Sequence, residues 1–183
     1  YDRWKANGLN GWGFDDILPY FRQQESWEGG ATSYRGGDGP VRTQFCKYRD
    51  PLLEAFAEAG RSAGHAWTED YNGEQQDGFG RLQMTIRNGR RCSSADAFLR
   101  PALKRPNLTV RVGALATRVI FERQRASGVE YLANGGRQVA HAEREVILAG
   151  GVINTPMILM LSGVGDPVEL RKHDIPVKTD VAG

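Results

Sequence analysis

The chain has 183 residues, 40% of them apolar and 25% charged, which is the composition of an ordinary folded protein and excludes long disorder. Twenty-four basic residues against 22 acidic ones leave a formal net charge of +2, too small a bias for a dedicated nucleic-acid binder. Two cysteines, Cys46 and Cys92, exclude a disulfide scaffold and a four-cysteine zinc site, and are read as free, buried thiols. The 23 glycines are the outlier, nearly twice the usual share of roughly 7%. With no collagen-like period, they belong in turns and close backbone approaches.

In chain order, Asp15 to Trp27 reads as a short helix, with Ile17, Leu18, Phe21 and Trp27 near helical spacing and acids in the first turn. Gly29 to Pro40 is a loop, broken by Gly29-Gly30, Gly36-Gly37 and Gly39-Pro40. Asp50-Pro51 pairs an N-cap with a proline at the first helical position, so a helix runs from there to near Gly64. Trp67 to Gly80 is loop-like. Leu82, Met84 and Ile86 alternate with Gln83, Thr85 and Arg87 as in a strand, and Asn88-Gly89 is a tight turn. Ser93 and Asp96 have capping spacing at the start of a short helix ending at Leu99.

From there the character changes. Leu108–Val112, Arg118–Phe121, Gly128–Leu132, Gln138–His141 and Glu145–Leu148 read as five short strands, with Asn134-Gly135-Gly136 as a hairpin turn. Pro101 and Pro106 frame a basic connector, which marks a boundary near residues 100 to 107. The longest apolar stretch, Val146 to Leu161, is interrupted by Asn154, Thr155 and Pro156. It falls short of the roughly 20 residues a bilayer requires. The chain opens on Tyr1 with no leader and closes on Gly183, so it reads as an internal stretch and its ends say nothing about targeting.

The segment richest in chemical information starts at Glu145. The apolar run to Leu148 lacks alternation, as in a strand buried on both faces. Ala149, Gly150 and Gly151 then turn the backbone with no side chain in the way. Thr155-Pro156 is read as an N-cap and first position, and Met157–Leu161 as an apolar helix ending at Gly163. In open α/β sheets ligands bind beyond the carboxyl ends of strands, and bare backbone there lies well against a flat nucleotide. Close helix–strand packing accounts for the same glycines, so the pattern alone leaves both readings open.

Other motifs are weak or missing. No stretch fits G-x-G-x-x-G after a strand, and none fits the P-loop, so nothing here would cradle a pyrophosphate. His65, His141 and His173 lie far from any E-x-x-H or C-x-x-C partner, which argues against a metal site. Ser162 is not in a G-x-S-x-G elbow and reads as a helix C-terminal residue. Arg87, Arg90, Arg91, Arg100, Lys104 and Arg105 form a basic cluster that reads as a solvated face.

Taken together, the motifs resemble those of the glucose–methanol–choline (GMC) oxidoreductases, FAD-dependent alcohol dehydrogenases and oxidases. The stretch Gly151, Val152, Thr155, Pro156, Ile158, Leu159, Ser162, Gly163, Val164, Gly165 is similar to the family's second signature, with Val152 standing where a smaller residue is usual. Tyr1-Asp2-Arg3-Trp4, Gly11-Trp12, Leu18-Pro19-Tyr20-Phe21, Asp77-Gly78-Phe79-Gly80, Gly89-Arg90-Arg91-Cys92-Ser93, Arg105-Pro106-Asn107-Leu108-Thr109-Val110 and Gly128-Val129-Glu130-Tyr131 agree in order, so the resemblance spans nearly the whole chain. It looks closest to the bacterial choline- and alcohol-dehydrogenase branch.

The resemblance implies a mixed α/β (α+β) fold. Residues 1–100 would be lid and substrate-domain material, and residues 101–183 part of a Rossmann-like FAD-binding domain. It implies FAD as cofactor and a small-molecule alcohol as substrate, with hydride passing from its carbon to the flavin. It implies contact with the adenine side of FAD from the main chain at Ala116 and from the bend at Ala149, Gly150 and Gly151. No histidine here matches the family's catalytic position, so no catalytic residue is assigned. The rival readings are a non-catalytic α+β interaction domain and a flavoprotein of the two-dinucleotide-binding fold. Neither oligomeric state nor compartment is legible.

Overall fold

The computed structural model describes residues 1–181. Helices and strands are mixed, and the chain divides into two compact units, Tyr1–Thr109 and Val110–Gly183.

The first unit opens with two helices, α1 (Asp2–Ala6) and α2 (Phe14–Gln24). The Asp16 carboxylate accepts the Gly13 N–H at 3.0 Å, which satisfies an orphan donor at the start of α2. The expected helix to Trp27 is cut short at Gln24. Glu25–Trp27 instead forms strand β1, parallel to β2 (Val41–Phe45), with Glu25 opposite Val41 and Trp27 opposite Thr43. Apolar spacing does not reveal this break, because Trp27 is buried as a strand residue just as a core-facing helical residue would be.

Helix α3 (Pro51–Ser62) starts where the sequence says it should: the Asp50 carboxylate accepts the Leu52 N–H at 2.9 Å. The alternating run after Gly80 divides into two short strands, β3 (Gln83–Met84) and β4 (Ile86–Arg87). β3 pairs antiparallel with β2, whereas β4 turns at Asn88-Gly89 onto β5 (Arg90–Arg91). The break falls at Thr85, whose carbonyl accepts the Cys92 N–H at 2.9 Å. The expected helix at Ser93–Leu99 is a π-helical turn, Ala95–Leu99, followed by the short α4 (Arg100–Ala102). Its capping pair is present: the Ser93 hydroxyl donates to Asp96 at 2.6 Å and accepts the Asp96 N–H at 3.2 Å. Cys92 is buried as expected, but Cys46 is only half-buried.

The second unit is built on an antiparallel meander, β6 (Leu115–Glu122), β7 (Arg125–Ala133) and β8 (Gly136–His141), in that spatial order. Asn134 and Gly135 take φ of 53° and 76°, the pair of positive values that a two-residue hairpin turn needs. Glu130 on β7 accepts from Thr117 and Arg118. Those bonds, the Thr117 one foremost, hold its carboxyl below the usual glutamate range. Helix α5 (Gly151–Leu161) packs on β6, followed by β9 (Val164–Gly165), α6 (Pro167–Lys172) and β10 (Thr179–Asp180), with β9 and β10 parallel. Val119, Tyr131, Ile158 and Leu170 form the buried centre.

Two expected strands are not formed. Leu108–Val112 is irregular, and so is Glu145–Leu148. A strand in the interior of a sheet takes its backbone hydrogen bonds from neighbours on both sides. No strand among the described residues pairs with either run, and Ile147 is exposed where a doubly buried strand was expected.

Replacing the α3 cap, Asp50→Ala, is expected to lower stability by about 1 kcal/mol, read as a shift in urea midpoint with an unchanged slope. An unchanged midpoint would show that the cap contributes nothing.

Candidate functional site

The bend at residues 149–151 opens helix α5. Ala149, Gly150 and Gly151 are exposed. Gly151 has φ of 84°, a left-handed conformation that disfavours any residue with a Cβ. A Cβ added there would meet nothing within 4 Å, so the backbone faces open space. Gly150 differs. A Cβ on it would come within 3.1 Å of Asn154 Cβ and 3.3 Å of Thr155 N, so close packing accounts for this glycine. The close contacts at Gly150 are with the first turns of α5 itself, not with a strand.

The helix begins earlier than the sequence suggests. Its N-cap is Gly150, and Pro156 lies inside the helix rather than at its first position. Thr155 is not the cap. Its hydroxyl reaches back instead and accepts the Gly150 N–H at 3.0 Å, fixing the bend from the first turn. Thr155-Pro156 resembles a helix start in composition, but the glycines upstream allow the chain to enter the helix five residues sooner.

Ala116, the other expected contact, sits half-buried in β6 opposite Tyr131, beside an irregularity in register between Ala116 and Arg118. β6 is an edge strand of its meander, so part of its main chain is turned away from β7. Ala116 and the bend thus lie on two elements that pack against each other, β6 and α5.

Ser162 is the C-cap of α5, as its position implied. Its partner was not legible: the hydroxyl accepts the Val119 N–H of β6 at 2.8 Å and donates to the Ile158 carbonyl at 2.5 Å. The six residues of the basic cluster are all exposed, with Arg100 paired to Asp96. His65 lies in a loop, His141 at the end of β8 and His173 just after α6.

The first unit contains a cavity of about 550 Å³ walled by Phe14, Phe21, Tyr34 and Met84, with Arg35 and Gln83 among its polar lining. Arg35, only 3% exposed, is its fixed point. Its Nε and Nη2 donate to the two oxygens of Glu25 at 2.9 and 2.6 Å, and its Nη1 donates to Asp70 at 2.6 Å and to Gln83 at 2.9 Å. The guanidinium also lies 4.1 Å over the Trp27 ring. Burial by itself would raise the Glu25 carboxyl. The bonds from Arg35, Thr43 and the Gly36 N–H, with the Arg35 charge, outweigh it and hold the carboxyl below its ordinary 4.5. Sequence reading missed this cluster, whose members at 25, 35, 70 and 83 follow no local pattern.

With this geometry in view, comparison with known proteins defines the class: the fold is that of solved flavin-dependent oxidoreductases. A pyridoxine 4-oxidase from Mesorbium loti superposes with a TM-score of 0.86 at 30% identity, over 98% of this chain and 36% of the other. An FAD-dependent oxidoreductase from Chaetomium thermophilum gives 0.88 at 28% identity, over 99% and 34%. The GMC oxidoreductase sequence profile matches residues 1–176, and the chain belongs to that family. The mitochondrial choline dehydrogenase of Mus musculus is 51% identical over all 183 residues, and the oxygen-dependent choline dehydrogenase of Brucella anthropi 48%. The chain spans about a third of their length, 31% and 33% respectively.

The residues present fit the family's flavin at its nucleotide half. An exposed main-chain bend without side chains can lie against a flat ring system, and Gly151 leaves open the space that a Cβ would take.

Arg35→Met would leave Glu25 and Asp70 without their cation, at a cost of about 3–5 kcal/mol, and Arg35→Lys would not restore the bidentate pair. Because the Glu25 pKa is lowered on folding, its contribution is present above the ordinary 4.5 and lost as pH falls through the folded value. Acid unfolding of the native protein is therefore expected to be steeper below that pH than in Arg35→Met. Superimposable acid limbs of the two stability curves would refute this.

Proposed function

We propose that this chain forms part of an FAD-dependent oxidoreductase that oxidises the CH–OH group of a small alcohol. Residues 1–100 supply lid and substrate-domain structure, and residues 101–183 supply part of the flavin-binding domain. The observation that carries the reading is the exposed main-chain bend at Ala149, Gly150 and Gly151, open at Gly151, on the helix that packs against the strand bearing Ala116.

In this reading the bend and the Ala116 main chain bind and orient the adenine side of the cofactor. The Gly150 N–H is already taken by Thr155, so Gly150 contributes shape, not a donor. Gly151 contributes open backbone. When bound, FAD supplies the acceptor for the hydride leaving the alcohol carbon. The aromatic walls of the first-unit cavity suit an apolar part of a substrate, with Gln83 and Arg35 as polar boundary. None of His65, His141 and His173 is assigned as the base that takes the hydroxyl proton. The family relationship to choline dehydrogenases makes a choline-like alcohol the first substrate to try.

The test is spectroscopic and kinetic. The protein carrying this sequence, purified at full length, is expected to be yellow, to show a flavin absorbance band, and to reduce an artificial dye when an alcohol is added. A folded, colourless preparation that takes up no added FAD would overturn the proposal.

A further inference from the structure

Helix α5 carries two hydroxyls that bond outside the regular helical pattern, and each fixes a different part of the expected adenine site. Thr155, in the second turn, holds the Gly150 N–H of the bend. Ser162, at the opposite end and 5% exposed, holds the Val119 N–H of β6. Val119 lies three residues along the same strand from Ala116. The serine is bonded twice: it also donates to Ile158, so its rotamer is set from within the helix before it meets the strand.

We infer that Ser162 is a positioning residue for the flavin: by fixing β6 against α5 it sets the spacing between the Ala116 main chain and the 149–151 bend. This rests on the adenine-side reading given above. Packing alone would let an apolar helix slide on a strand, because dispersion contacts are non-directional and α5 is apolar on almost every side. A 2.8 Å bond from a buried amide to a buried hydroxyl does not permit that slide, because breaking it leaves an unsatisfied donor. Ser162 touches no cofactor in this account. It acts through Val119.

The test compares two buried serines that undergo the same chemical change. Ser127 on β7 is 4% exposed and donates to the Ile120 carbonyl, so its hydrogen bond lies within the meander. In the FAD-loaded protein, Ser162→Ala is expected to weaken FAD retention roughly tenfold, measured as flavin fluorescence released on dilution, while kcat at saturating FAD changes less than about twofold. Ser127→Ala is expected to lower the thermal midpoint and leave FAD retention unchanged. If Ser162→Ala does not fold, Ser162→Cys keeps the volume with a weaker acceptor and is expected to weaken retention severalfold. Wild-type retention in the Ser162 variant, or equal weakening in Ser127→Ala, overturns the inference. A wild-type protein that binds no FAD overturns the reading beneath it instead, so the two failures are distinguishable.

Discussion

A buried amide must find an acceptor, and that requirement organises the second unit. Among the described residues strand β6 has β7 on one side only, so Val119 turns an N–H to a side where none of their strands receives it. The Ser162 hydroxyl provides the acceptor from the end of α5. Leaving such a donor unpaired would cost about 1–3 kcal/mol, comparable to burying a large apolar side chain. The contact is also directional, which the surrounding Val119, Ile158 and Leu170 contacts are not. Polar satisfaction thus sets the geometry that apolar burial then fills.

The same rule explains the bend. Gly150 donates to Thr155, a residue whose backbone already belongs to the helix. The turn into α5 is closed by a hydroxyl rather than by an N-cap side chain, and the next residue, Gly151, is free to take a positive φ. The helix thereby starts on bare main chain, which is the property a nucleotide-facing turn requires.

Legibility in the sequence followed the range of the interactions. Asp50-Pro51, Asn134-Gly135 and the Ser93/Asp96 pair were readable because cap, turn and capping pair each close within a few residues. The family motif was readable because its order is linear. What escaped was set by distant partners. Glu145–Leu148 has the composition of a core strand, yet strand formation depends on neighbours that no local pattern encodes. Thr155-Pro156 looked like a helix start because the upstream glycines carry no positive helix signal. The Ser162–Val119 bond spans 43 positions, and the Arg35–Gln83 bond spans 48.

Arg35 has a further consequence, for how the sequence can drift. Four of its five N–H groups are committed to Glu25, Asp70 and Gln83, and its flat face lies over Trp27. Losing the arginine strands two acids, and losing Glu25 removes both its bidentate partner and the acceptor of the Gly36 N–H. A lineage that loses the arginine must therefore replace its acids as well. Descendants of this sequence should inherit positions 25, 35 and 70 as one linked character.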